Sequence, residues 1–152
     1  MNRHEFIRVR CEEKLWPYDV AKFAKEPPSE AYRQAKQHKA LLYESIKPSV
    51  RDMQQVLADG FGITLGIYLY SSFFSDITTK TGVIPVPDAE AEGFQGGHCV
   101  GICGYDTDKE VFILRNSWGS KWGDKGYGYI PFNYLTNEEL CLDRWTIRKV
   151  EL

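Results

Sequence analysis

The stretch that most restricts the fold runs from Gly96 to Gly123. It opens Gly96-Gly97-His98-Cys99-Val100 and closes Arg115-Asn116-Ser117-Trp118-Gly119-Ser120-Lys121-Trp122-Gly123. Between these lie two short apolar runs, separated by a polar interruption at Asp106 to Glu110, the pattern of two strands joined by a turn. A hairpin sets its two ends side by side, so His98 and Asn116, 18 positions apart, are expected to meet at one edge. An asparagine amide oxygen accepts from one imidazole nitrogen, which fixes the tautomer and aims the other nitrogen at a neighbour. An imidazole held in this way is half of a nucleophilic triad.

The motifs Gly96-Gly97-His98, Asn116-Ser117-Trp118-Gly119 and Trp122-Gly123-Asp124-Lys125-Gly126-Tyr127 resemble the second half of a papain-like cysteine peptidase. Cys11-Glu12-Glu13-Lys14-Leu15-Trp16-Pro17-Tyr18 is similar to that family's crossover from its first domain to its second. The resemblance implies His98 as general base and imidazolium partner, with Asn116 orienting it. It implies Trp118 as the cover that keeps water from their contact, with Trp122 and Gly97 as supporting residues of the same motifs. It implies cleavage of peptide bonds in a peptide or protein substrate, with no cofactor and no metal. Leu65, Gly66 and Cys99 are implied to lie near the pocket for the substrate side chain that governs specificity, although Leu65 reads equally well as core. The implied fold is α+β: the family's C-terminal domain, a twisted antiparallel barrel-like sheet with short peripheral helices.

One part of the family pattern is missing. Its nucleophile sits in a Cys-Gly-Ser/Ala-Cys-Trp/Tyr segment, with the histidine and asparagine roughly 130–150 residues downstream. The 152 residues contain no such segment, and the oxyanion-hole glutamine that precedes it is absent too. Residues 1–19 therefore read as the crossover tail and 20–152 as the barrel domain. On this reading the chain is inactive alone and is completed by an N-terminal helical domain carrying the cysteine. The alternative is a non-catalytic remnant that kept the fold as a binding module. Cys11 stands in the right order before His98 and Asn116, but Glu12-Glu13 would raise its pKa and Pro17 interrupts the helix a nucleophile needs.

Charge and hydropathy exclude other classes. A formal net charge of −2 leaves no electrostatic footprint for nucleic acid or an anionic membrane. The longest apolar-looking run, 61–70, is too short to span a bilayer. Residues 1–10 lack the apolar core of a signal peptide, so no export address is read and the compartment stays open. Cys99 and Cys103 sit about 13 Å apart on a probable strand, beyond disulfide reach from one another; pairing of either with Cys11 or Cys141 stays open, and a mostly reduced state is the favoured reading. Sharing parity, Cys99 and Cys103 read most simply as small core residues.

The remaining elements follow from local signals. A helix is expected over 29–38 with Ser29 as its N-cap, its cluster Arg33, Lys36, His38 and Lys39 forming a solvated face. A strand covers 41–46. A helix opens at Ser49-Val50-Arg51-Asp52 and closes at a left-handed Gly60. Alternation over 63–70 makes a strand with Ile63, Leu65, Ile67 and Leu69 on one face. Residues 71–74 and 81–87 read as irregular and 88–94 as a surface loop. A strand at 126–131, a helical turn at Thr136-Asn137-Glu138-Glu139 and a last strand at 144–148, which the resemblance implies closes the barrel, complete the chain.

Overall fold

The computed structural model describes residues 11–38 and 40–150, with only the backbone of Val150. The segment 1–10, read above as tail without a signal peptide, and Lys39 of the basic cluster lie outside the described residues. In chain order the helices are α1 (Ser29–Ala35), α2 (Val50–Ala58), α3 (Asp76–Thr81) and α4 (Phe132–Thr136). The strands are β1 (Ala40–Ser45), β2 (Ile63–Tyr70), β3 (Phe94–Asp106), β4 (Val111–Arg115), β5 (Tyr127–Pro131) and β6 (Cys141–Val150). They form one sheet in the order β1-β6-β2-β3-β4-β5. The ladders β2–β3, β2–β6, β3–β4 and β4–β5 are antiparallel. The fold is α+β, and the sheet stays open: β1 and β5 are its edges, while β6, expected to close a barrel, lies between β1 and β2.

The chain divides into two compact units, one from residues up to Tyr43 together with those from Ile147 on, the other Glu44–Thr146. In the first, α1 buries Ala31 and Ala35, and Gln34 Oε1 accepts from the Glu12 backbone N–H at 2.7 Å. Ser29 is not the cap of α1. Pro28 occupies that place, its carbonyl taking the first intrahelical bond from Ala31 N–H at 2.9 Å, and the helix stops at Ala35.

The second unit holds the core. Period-two alternation buries Ile63, Leu65, Ile67 and Leu69 of β2, and register places Val100 and Ile102 of β3 beside them on the same face. Phe112 and Leu114 of β4 and Ile130 of β5 continue the layer, which Met53 and Val56 of α2 and Tyr134 and Leu135 of α4 cover. The start of α2 is as its sequence implies: Ser49 Oγ accepts from Asp52 N–H at 3.4 Å, and Gly60 at φ 87° turns the chain after the helix. The helical turn expected at 136–139 lies earlier, in α4, with Thr136 its last residue.

Two features differ in a way that matters for function. The glycines of Gly96-Gly97 do not end β3; pairing with β2 carries the strand on to Phe94, Tyr68 opposite Gly97 and Leu69 opposite Gly96, with an irregularity at Gln95 before Tyr70 meets Phe94. Residues 71–74, read from sequence as irregular, form a regular turn, and a helix that was not anticipated follows them. A 3-10 turn, Ser71–Phe74, leads into α3, whose Thr78 is fully buried and whose single Oγ1–H is shared between the carbonyls of Ser72 at 3.1 Å and Val83 at 3.0 Å.

Candidate active site

His98 owes its position to the pleat of β3. Residues paired across an antiparallel ladder share a face, so His98 opposite Ile67 and Val100 opposite Leu65 point inward, whereas Cys99 opposite Gly66 and Gly97 opposite Tyr68 point outward. His98 is accordingly half-buried. The ladder to β4 begins at Gly101 opposite Arg115, so Asn116 follows directly on the last paired residue. Its backbone N–H donates to Gly126 O at 2.9 Å, which turns the chain out of β4 and brings the side chain back over the sheet end.

The two side chains meet: His98 Nε2 lies 3.0 Å from Asn116 Oδ1. The same oxygen accepts from the Ser117 backbone N–H at 2.8 Å. A backbone N–H can only donate, so the amide atom facing it is the oxygen, and Nε2 must then carry the imidazole proton. The second imidazole nitrogen, Nδ1, is left with its lone pair. Asn116 is 9% exposed, and its Nδ2 has no hydrogen-bond partner among the described residues.

An aromatic cluster closes over this pair. The Trp118 indole stacks on His98 with centroids 4.9 Å apart and an interplanar angle of 29°. Phe74 also stacks on Trp118, at 5.6 Å, and Phe73 meets it edge-on at 5.7 Å. Trp122, buried, stacks on Phe73 at 5.7 Å and meets Trp118 edge-on at 5.8 Å. Trp118 keeps 39% of its surface exposed, so the cover shields one face of the imidazole and stays open outward. The loop carrying both tryptophans is fastened to α3, Gly123 N–H donating to Thr79 O at 2.8 Å. Glycine is required there: φ is 58°, and an added Cβ would collide with the Tyr127 carbonyl.

Sequence reasoning named His98, Asn116, Trp118 and Trp122, and the structure brings all four together. It missed Phe73 and Phe74, whose only signal is a pair of adjacent aromatics just past the end of an alternating strand. Gly97 lies in open space, an added Cβ meeting nothing within 4 Å. The three residues implied for the substrate pocket separate. Gly66 and Cys99 face each other on the outer side of the sheet, and Leu65, 1% exposed, points into the core. A Cβ on Gly66 would lie 3.3 Å from Leu142 Cγ, so Leu142 of β6 borders the outer pair.

The cysteines also need correction. All four are free thiols in the structure, and Cys99 and Cys103 are exposed rather than core residues. Cys99 has the parity opposite to Val100 and Ile102, and Cys103 falls at the irregularity where Ile102 pairs with Leu114 and Gly104 with Ile113. Cys103 Sγ donates to Ile113 O at 3.5 Å, and burial of part of the thiol pushes its pKa up. No group of His, Cys, Asp and Glu suited to a metal ion occurs among the described residues.

Comparison with known proteins places the chain in a family. The sequence profile of the papain family cysteine proteases matches residues 6–141. A peptidase C1-like protein of Acanthamoeba polyphaga mimivirus is 37% identical over 148 residues, covering 92% of this chain and 47% of the viral protein. A cathepsin B-like protein of Giardia intestinalis is 33% identical over 103 residues, 66% of this chain and 31% of that one. Among solved structures, xylellain, a cysteine protease from Xylella fastidiosa, superposes with a TM-score of 0.82 at 30% identity, covering 91% of this chain and 56% of xylellain. The chain thus spans about half the length of the viral relative and of xylellain.

Proposed function

Because the chain belongs to the papain family of cysteine proteases, we propose that it supplies the histidine–asparagine half of a peptide-cleaving site whose cysteine comes from a helical portion outside these residues. The observation that carries this reading is the double acceptance at Asn116 Oδ1, which leaves His98 Nδ1 as a base with its lone pair available. Cys99 turns to the opposite face of β3 from His98, which supports a nucleophile drawn from elsewhere.

In the completed site a cysteine thiol gives its proton to His98 Nδ1, forming a thiolate and an imidazolium. The thiolate attacks the peptide carbonyl, and the imidazolium returns the proton to the leaving amine. Water then attacks the thioester, His98 taking its proton as base, and the cysteine is released as thiol. Asn116 holds the ring through Nε2 without adding a negative charge that would compete with the thiolate for the imidazolium. Trp118 keeps water from one face of that contact. Gly66 and Cys99, bordered by Leu142, floor the pocket for a substrate side chain.

The test joins this chain to the cysteine-bearing half of xylellain and follows a fluorogenic peptide. Thiol-dependent cleavage is expected from the joined protein and none from the chain alone. His98→Ala should lower cleavage by about 10²–10⁴-fold, the usual contribution of a positioned base. Cleavage that survives that substitution would remove His98 from the mechanism. A well-folded joined protein that binds the peptide without cutting it would favour a binding module.

A further inference from the structure

The cover over His98 is not anchored by its own loop alone. Phe73 and Phe74, which contact Trp118, belong to the turn Ser71–Phe74, and that turn is tied to the segment leading into β3. Glu92 makes the tie. Its Oε2 accepts from the Ser72 backbone N–H at 2.8 Å, and its Oε1 accepts from the Asp88 backbone N–H at 3.1 Å. Beside it, Gly93 O accepts from the Ser71 N–H at 3.1 Å and from Ser71 Oγ at 3.2 Å. One carboxylate therefore joins the start of the phenylalanine turn to the chain six residues before His98.

We propose that Glu92 is a positioning residue for the active site, setting where Trp118 lies over His98 by holding the turn that carries Phe73 and Phe74. The physical case rests on leverage and strength. Hydrogen bonds to an ionised carboxylate are about twice as strong as neutral ones, and these two end on backbone atoms, so they fix the path of the chain rather than one rotamer. The Ser71–Phe74 turn is only four residues long, too short to hold its direction without outside bonds. Phe74 is partly exposed, so the core does not fix it as it fixes Phe73. Without Glu92 the turn keeps the bonds of Ser71 to Gly93 O but loses the one at Ser72, nearer the phenylalanines, and the contacts of Phe74 with Trp118 and of Trp118 with His98 loosen.

The inference rests on the reading of His98 as the working imidazole, but its test reads ring geometry in the chain alone. Failure of the joined protein to cleave peptide would sink that reading and leave this one standing. Stacking under an indole displaces the carbon-bound protons of His98 upfield in the NMR spectrum. In Glu92→Ala at least half of that displacement should vanish while the core methyl signals of Ile63, Leu65 and Leu114 keep their positions. Glu92→Gln, which retains one acceptor oxygen, should keep the larger part. Asp106→Ala removes another carboxylate that accepts a backbone N–H, from Lys109 at 3.0 Å, and should leave His98 unmoved. An unmoved His98 in a folded Glu92→Ala protein overturns the proposal, as does an equal movement in Asp106→Ala. Should Glu92→Ala fail to fold, Glu92→Gln decides: faster exchange of the Ser72 amide with His98 unmoved also overturns it.

Discussion

Asn116 spends its amide unevenly, with two donors on the oxygen and none of the described acceptors on the nitrogen. Its removal should therefore cost orientation, not proton transfer. In the joined protease Asn116→Ala is expected to lower cleavage by about one to two orders of magnitude, the value of one hydrogen bond to a charged group. In the chain alone, long-range nitrogen spectra should show the pure Nε2–H tautomer give way to a mixture. The thiols offer an independent check. Burial pushes Cys141 up to about 11, and it is 1% exposed, whereas Cys99 faces solvent. At pH 8 a maleimide should label Cys99 and spare Cys141 until the protein is unfolded. Glu92 gives a pH signature. Hydrogen bonding from Ser72, with the Asp88 backbone adding to it, holds its carboxyl below the ordinary 4.5. A depressed carboxyl stabilises the fold above its unfolded value and loses that contribution as pH falls through its folded one. The phenol of Tyr134 also feels Glu92 but is pushed up by burial and stays neutral throughout. Acid titration should thus show a step in tryptophan fluorescence below the ordinary carboxylate range, absent in Glu92→Gln.

At the scale of elements, the loop 116–126 and α3 behave as one piece because Gly123 lets two backbones touch. Gly123→Ala is expected to cost about 1–3 kcal/mol from its left-handed conformation alone, with the collision at Tyr127 O added. A lowered Tm together with loss of the upfield His98 signals would report it. What the sequence made legible here follows the strength of each local signal. Strand β2 announces itself by strict alternation, and α2 by a cap and buried Met53 and Val56 at helical spacing. Helix α3 has six residues, three of them threonine, and no apolar stripe, so its existence depends on Thr78 being bonded from two sides. Phe73 and Phe74 acquire their role from rings more than 40 positions downstream, which no local pattern encodes. The outward turn of Cys99 and Cys103 was readable: Val100 and Ile102, of opposite parity to Cys99, are the stronger claimants to the core.

Over the whole molecule, protection should follow the sheet order. β2 is bonded on both sides, to β3 and β6, and its inward residues are all buried, so its amides should exchange with solvent most slowly. Those of β1, at one edge, should exchange faster, whereas at the other edge Tyr129 of β5 stays protected by its bond to Gly82 O; a β1 slower than β2 would argue against this topology. The alternation of β3 carries a further consequence. Histidine and cysteine stand next to each other in sequence and look out of opposite sides of the sheet, so the site is written in phase. A slip of one residue along β2 would exchange imidazole for thiol beneath Trp118 while leaving every neighbouring residue in the chain unchanged. The irregularity between Ile102 and Gly104 lies on the hairpin side of that phase mark. An insertion near the Thr107 turn has somewhere to be absorbed; one between Gly97 and Val100 has nowhere. Length changes in this protein should therefore collect beyond Ile102 or at Gln95, where the pairing of β3 with β2 is also irregular, and the residues from Gly97 to Val100 should be intolerant of any change in number, whatever their identity.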